Sequence, residues 1–223
     1  MIDTVIVSGG NIQEDFALDF LEKLQEKAGK GNLRLIAADK GLEFFMKTGI
    51  KPDIAVGDFD SLSREGREYL DKAADMEIKR LKPEKDDSDT QSAVNLAIDR
   101  GAQGIALLGT MGSRLDHMLA NLGLLSFGQK KGVNIVMADA HNYVTLIQSG
   151  TVLHKSGQFG RFVSFFPVGG DVPGVVLEGF KYPLNGHYLT VSDSGLTVSN
   201  EIIQDEARVT FEKGSLLMIM SRD

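Results

Sequence analysis

In PDIAVGDFDSL, residues 52 to 62, an apolar run ends in two carboxylates one residue apart, Asp58 and Asp60. No basic residue stands between positions 52 and 63, so the two charges repel each other unless a cation lies beside them. Gly57 lets the backbone turn sharply just before them. Further carboxylates recur where strand-like runs end: Asp39 after LIAA, Asp86, Asp87 and Asp89 after the strand and loop IKRLKPEK, and Asp116 after LLGTMGSRL. The chain contains no cysteine, and a set of oxygen ligands with few histidines nearby suits Mg²⁺ or Mn²⁺ far better than Zn²⁺. Magnesium binds through one or two carboxylates together with substrate phosphates, so an acidic cluster can serve a polyphosphate. Taken singly, two of these acids have plainer readings. Asp39 suits a helix N-cap before GLEFFMKTG, and Asp89, behind the Ser88 to Gln91 capping-box spacing, answers a helix dipole.

A second constellation lies in GSRLDHMLANL, residues 112 to 122. Leu115, Met118, Leu119, Leu122 and Leu125 recur at helical spacing and are expected to face a sheet, leaving Arg114, His117 and Asn121 on the other side. His117 and Asn121, four apart, are neighbours on the helix surface. A lone helical histidine also reads as a structural hydrogen-bonding residue. The planar fork of Arg114 fits phosphate oxygens. Gly9 and Gly10, and Gly109 and Gly112, each follow a strand-like run and could offer backbone N–H groups to phosphate. Neither pair matches the P-loop or GxGxxG pattern, so each also reads as a turn.

The elements that would carry these residues alternate. Strand-like runs at TVIVSGG from 4, LRLIAAD from 33, DIAVGD from 53, MEIKRL from 76, GIALLGT from 104 and NIVMADA from 134 are separated by helical patterns, one of them marked by Phe16, Phe20, Leu21 and Leu24. That alternation predicts a Rossmann-like, mainly parallel α/β sheet with flanking helices, which binds ligands beyond the carboxyl ends of its strands. From about residue 143 the texture changes to YVTLIQSG, TVLHKSG, RFVSFFPV, GVVLEGF, HYLTVSD, LTVSNEI, ARVTFEKG and LLMIMS. These predict a smaller all-β, sandwich-like domain, with a boundary near 140 and 141. The 223 residues carry a net charge of −7 without a Lys/Arg block, which argues against a nucleic-acid partner. No apolar run approaches a membrane span, MIDTVIVSGG carries no basic leader, and the lack of cysteine suits a reducing cytoplasm.

Asp39, GDFDS (57 to 61), KDDSDTQSA (85 to 93) and SRLDHMLAN (113 to 121), followed by SDSGLTVSNE (192 to 201) in the β half, together resemble thiamine pyrophosphokinase over nearly the whole chain. The resemblance implies an ATP domain over 1–140, a thiamine-binding domain over 141–223, and transfer of the diphosphoryl group of ATP to the thiamine hydroxyl with release of AMP. It further implies a homodimer with a shared active site. Carried over by motif, Asp58, Asp60, Asp86 and Asp89 form the metal set, and these four with Arg114 and Asp116 form the catalytic set. Asp39, Arg114, His117 and Asn121 bind ATP, and Ser199 and Asn200 contact thiamine. Ser113 stands where the family commonly has glycine, and without tryptophan any ring stacking falls to Phe or Tyr. The alternatives are a pyrophosphokinase for another alcohol, such as a hydroxymethylpterin, and a non-catalytic nucleotide or thiamine sensor.

Overall fold

The computed structural model describes residues 1–29, 31–82, 84, 87–112, 114–193 and 195–223. Asp86 and Ser113 lie outside the described residues. The chain divides into two compact units, Met1–Ala140 and His141–Asp223.

In the first unit the order is β1 (Thr4–Val7), α1 (Glu14–Ala28), β2 (Arg34–Ala38), α2 (Leu42–Thr48), β3 (Ile54–Gly57), α3 (Arg64–Lys72), β4 (Glu77–Arg80), α4 (Asp89–Asp99), β5 (Gly104–Leu108), α5 (Leu115–Lys130) and β6 (Asn134–Ala138). All six expected strands form. They lie in the order β4-β3-β2-β1-β5-β6, and every neighbouring pair is parallel. β1, β3 and β5 are buried at every position, as expected of parallel strands covered on both faces. From β1 the chain steps outward to β4, then returns across β1 to β5 and continues outward to β6. The order therefore reverses between β1 and β5, where an open α/β sheet leaves a crevice at its carboxyl edge. Helix α4 packs on β1, β2 and β3, and α5 on β6.

One expectation for α5 fails. Leu115 and Leu119 are 67% and 63% exposed, and the buried positions are Leu124, Leu125 and Gly128. Only the C-terminal half of α5 is seated on the sheet. A Cβ at Gly128 would lie 2.5 Å from Ile135 Cγ1, so the bare glycine lets the helix approach β6 closely. No helix among the described residues is long and apolar enough to cross a membrane.

The second unit contains β7 (Asn142–Ile147), β8 (Thr151–His154), β9 (Phe162–Pro167), β10 (Val172–Glu178), β11 (Leu184–Leu189), β12 (Glu206–Thr210) and β13 (Leu216–Ser221). β13 pairs antiparallel with β7 and β9, and a second antiparallel sheet runs β11-β10-β12-β8. Inward residues of the two sheets share one core, with Val163, Phe165, Leu216 and Met218 from one and Val175, Leu177, Leu189 and Val209 from the other. This is sandwich packing. LTVSNEI does not form the expected strand. It is an irregular segment tied in by isolated bridges, Val163 to Asn200 and Phe180 to Ile202, and Ser199 takes a left-handed φ of 54° that breaks extended pairing.

Candidate active site

A cleft of about 790 Å³ opens at the reversal between β1 and β5. Its walls come from the segment after β1 (Ser8 to Asn11), the end of β2 (Ala38 to Lys40), Ser61, the start of α4, the segment after β5 (Gly109, Thr110, Gly112) and the start of α5.

Asp39, which lines the cleft, comes together with Asp58 and Asp60 where β2 and β3 end, each of the three offering a carboxylate oxygen within 4.8 Å of the others. The register explains how. Ala38 of β2 pairs with Val56 of β3, so the next residues, Asp39 and Gly57, lie side by side where both strands end. A Cβ at Gly57 would stand 3.0 Å from Asp39 Cα. Glycine is therefore what allows the two strand ends to close up. Asp39 itself has φ 46°, an uncommon left-handed value that aspartate tolerates better than most residues. It is not a helix cap: the N-cap of α2 is Gly41, and no side-chain cap bond forms there. Its Oδ2 accepts a hydrogen bond from the Ser61 hydroxyl, while Oδ1 is buried with no hydrogen-bond partner. Asp58 Oδ1 accepts from the Asp60 amide at 3.2 Å, and the intervening Phe59 is 3% exposed with φ 63°. The buried ring anchors the loop that carries the two acids.

Asp89 lines the cleft in the first turn of α4, outside the trio. That helix is capped by Ser88, whose Oγ accepts from the Gln91 amide at 3.2 Å. Arg114, Asp116, His117 and Asn121 line the same cleft. Arg114 donates from Nε and Nη2 to the two Asp116 oxygens at 3.1 and 2.5 Å, and the His117 amide donates to Asp116 Oδ1 at 3.0 Å. The guanidinium holds the Asp116 carboxyl down to about 2 and is itself raised by the same pairing. Asn121 Nδ2 donates to the Thr110 carbonyl at 3.0 Å, tying α5 to the segment after β5.

The glycines divide in their roles. The Gly10 amide donates to the Gly109 carbonyl at 2.9 Å, so that N–H joins the two loops and does not face a phosphate. Gly109 has φ 68°, and a Cβ there would meet the Ser8 carbonyl at 2.3 Å.

Sequence reasoning missed several cleft residues. Ser8 Oγ and Thr90 Oγ1 hydrogen-bond at 2.8 Å, Lys40 lines the wall, and Thr110, 3% exposed, has a buried hydroxyl without a partner. A polar residue within two positions of the end of an apolar run was the available signal for Ser8 and Lys40.

In the second unit, Ser199 is exposed and its amide donates to Ser164 Oγ at 3.0 Å. Asn200 is 1% exposed. Its Oδ1 accepts from the amides of Tyr182 and Glu201 at 3.0 and 2.9 Å, and its Nδ2 donates to the Tyr182 carbonyl at 2.8 Å. The side chain is thus spent on backbone. Glu201 pairs with Arg161 and Lys181, which hold its carboxyl down to about 2.

Residues 26–137 match the catalytic-domain model of thiamin pyrophosphokinase, and residues 150–216 match its vitamin B1 binding domain. The thiamine pyrophosphokinase of Bacillus subtilis (strain 168) is 36% identical over 188 residues, 84% of this chain and 87% of that protein. A crystal structure of thiamine pyrophosphokinase from Bacillus subtilis superposes with a TM-score of 0.84 at 32% identity over 99% of each chain. Yeast thiamin pyrophosphokinase has the same fold at 14% identity, with a TM-score of 0.79 over 98% of this chain and 86% of its own.

Proposed function

The chain belongs to the thiamin pyrophosphokinase family, and we propose that its Asp39, Asp58 and Asp60 hold the divalent cation that accompanies ATP in the cleft of the first unit. The activity is ATP-dependent transfer of a diphosphoryl group to the hydroxyl of thiamine, giving thiamine diphosphate and AMP.

One observation carries the metal reading. A buried carboxylate oxygen, Asp39 Oδ1, lacks a hydrogen-bond partner inside a cluster of three acids. Buried polar atoms are ordinarily paired, and three carboxylates this close repel one another. A hard cation with oxygen ligands, Mg²⁺ or Mn²⁺, resolves both costs. When bound, the ion would neutralise triphosphate charge as the phosphoryl group transfers.

The remaining roles fall to the chain's own groups. Asp89, in the first turn of α4, extends the acidic set, and Asp86 is assigned to it on the resemblance alone. Arg114, oriented by Asp116, clamps phosphate oxygens, while His117 and Asn121 line the nucleotide's path. In the second unit Ser199 presents its exposed side chain to thiamine, and Asn200 fixes the backbone around it. The reading includes a homodimer that shares its active site between subunits, supported by the family resemblance, and a cytoplasmic location, supported by a chain without cysteine.

The test is AMP release from ATP with thiamine, with a hydroxymethylpterin, or with no acceptor, each in Mg²⁺ and in EDTA. AMP and thiamine diphosphate should form together only with thiamine and Mg²⁺. Comparable AMP release with the pterin alcohol would contradict the substrate assignment, and full turnover in EDTA would contradict the metal assignment.

A further inference from the structure

The loop carrying Asp58 and Asp60 is held in a conformation that its own sequence disfavours. Phe59 has φ 63°, and a bulky side chain is a genuine outlier there. Such a conformation persists only where the surroundings over-determine it. Burial of Phe59 and Leu62 supplies part of the restraint. So does Glu43, whose Oε1 accepts from the Ser63 amide at 2.8 Å.

The rest comes from α3. Ser63 caps that helix by accepting from the Gly66 amide at 3.1 Å, which fixes where its first turn begins. From this turn Arg67 reaches back, donating from Nη2 to the Asp60 carbonyl at 2.8 Å and from Nε to the Leu62 carbonyl at 3.2 Å. One planar guanidinium thus spans the two carbonyls at Asp60 and Leu62. A lysine ammonium, a point donor, has no comparable fork.

We propose that Arg67 is a positioning residue for the metal site, setting the direction of the Asp60 carboxylate through its backbone. The assignment rests on the reading of Asp39, Asp58 and Asp60 as metal ligands. It opposes simple electrostatics, and that opposition makes it testable. A cation beside an acidic cluster competes with a metal ion, so by charge alone the removal of Arg67 should tighten metal binding. If its role is positioning, the removal should weaken it.

The experiment titrates Mn²⁺ into nucleotide-free protein, following free Mn²⁺ by electron paramagnetic resonance, for the wild type, Arg67→Ala, Arg67→Lys, Asp58→Asn and Arg64→Ala. Arg64 pairs with Glu68 on the exposed face of α3 and serves as the control for lost surface charge. Circular dichroism of each variant establishes that the titrated protein is folded. Arg67→Ala and Arg67→Lys should each lose roughly 10-fold in Mn²⁺ affinity, in line with other residues that orient metal ligands, and Arg64→Ala should not change. Unchanged or tighter binding by folded Arg67→Ala, or full affinity in Arg67→Lys, would overturn the assignment. A wild type that binds Mn²⁺ no better than Asp58→Asn would overturn the metal site itself, a failure visible in the parent protein before any Arg67 variant is compared.

Discussion

Replacing Asp39 with asparagine should stabilise the metal-free protein while removing its response to metal. Asp39 lies within 4.8 Å of both Asp58 and Asp60. At that separation and an effective dielectric of about 20, each carboxylate pair repels by roughly 3 kcal/mol. Asp58 is half-buried and Asp60 exposed, so water and salt screen much of this, leaving a net relief of about 1–2 kcal/mol. For a chain of this size that corresponds to a rise in Tm of about 2–8 °C. The Ser61 hydroxyl keeps an acceptor in the Asp39→Asn variant through the amide oxygen, so no hydrogen bond need be lost. The assay is thermal unfolding in EDTA and in excess Mg²⁺. Wild type should gain stability from Mg²⁺ by mass action, whereas Asp39→Asn should start higher and gain nothing. A variant that melts below wild type in EDTA would refute the reasoning, because Asp39 would then be stabilised by the protein rather than strained by its neighbours.

Asp58→Asn and Asp60→Asn should each lower kcat by at least ~100-fold with the fold intact, the loss being one of transition-state charge stabilisation. Steady-state kinetics with circular dichroism checks both halves of that statement. Arg114→Ala should raise the apparent KM for ATP more than that for thiamine, since a guanidinium suits phosphate and repels a thiazolium; varying each substrate in turn decides it. Asp116, held to about 2 by Arg114 against an ordinary 3.8, contributes its pairing above pH 3.8 and loses it as pH falls through about 2. The ATP KM of the wild type should therefore show no inflection from Asp116 between about pH 4 and 9. Asn200→Ala should cost about 2–3 kcal/mol by removing three part-buried hydrogen bonds to the backbone of Tyr182 and Glu201. It should also raise the thiamine KM while leaving the ATP KM unchanged, as chemical denaturation and kinetics would show.

Much of the architecture was legible because parallel strands buried on both faces write themselves as apolar runs, as β1, β2, β3, β5 and β6 do, whereas the edge strand β4, EIKR, is mostly exposed and showed itself only by alternation with the helices. What misled was local ambiguity. Helix α5 carries leucines all round, among them Leu115, Leu119, Leu124 and Leu125, so spacing could not choose the buried face; the sheet seats only its C-terminal half. LTVSNEI alternates like a strand, but the left-handed Ser199 and the inward, fully used amide of Asn200 are tertiary facts without a local signature. The acidic residues were visible as strand exits. That Asp39 joins Asp58 and Asp60 follows from β2 and β3 being neighbours in register, a matter of strand order. Arg67 carried no signal in the sequence, because its partners are backbone carbonyls, which no side-chain pattern records.

The proposed metal site places the cation of the nucleotide on Asp39, Asp58 and Asp60. It is tested most directly by anomalous diffraction at the manganese edge from crystals grown with Mn²⁺ and α,β-methylene ATP, an analogue whose diphosphoryl unit cannot be transferred. A manganese peak is expected at coordination distance from oxygens of Asp39, Asp58 and Asp60, with the triphosphate completing the shell. A fully occupied manganese bound elsewhere in the cleft, with the trio bare, would contradict it.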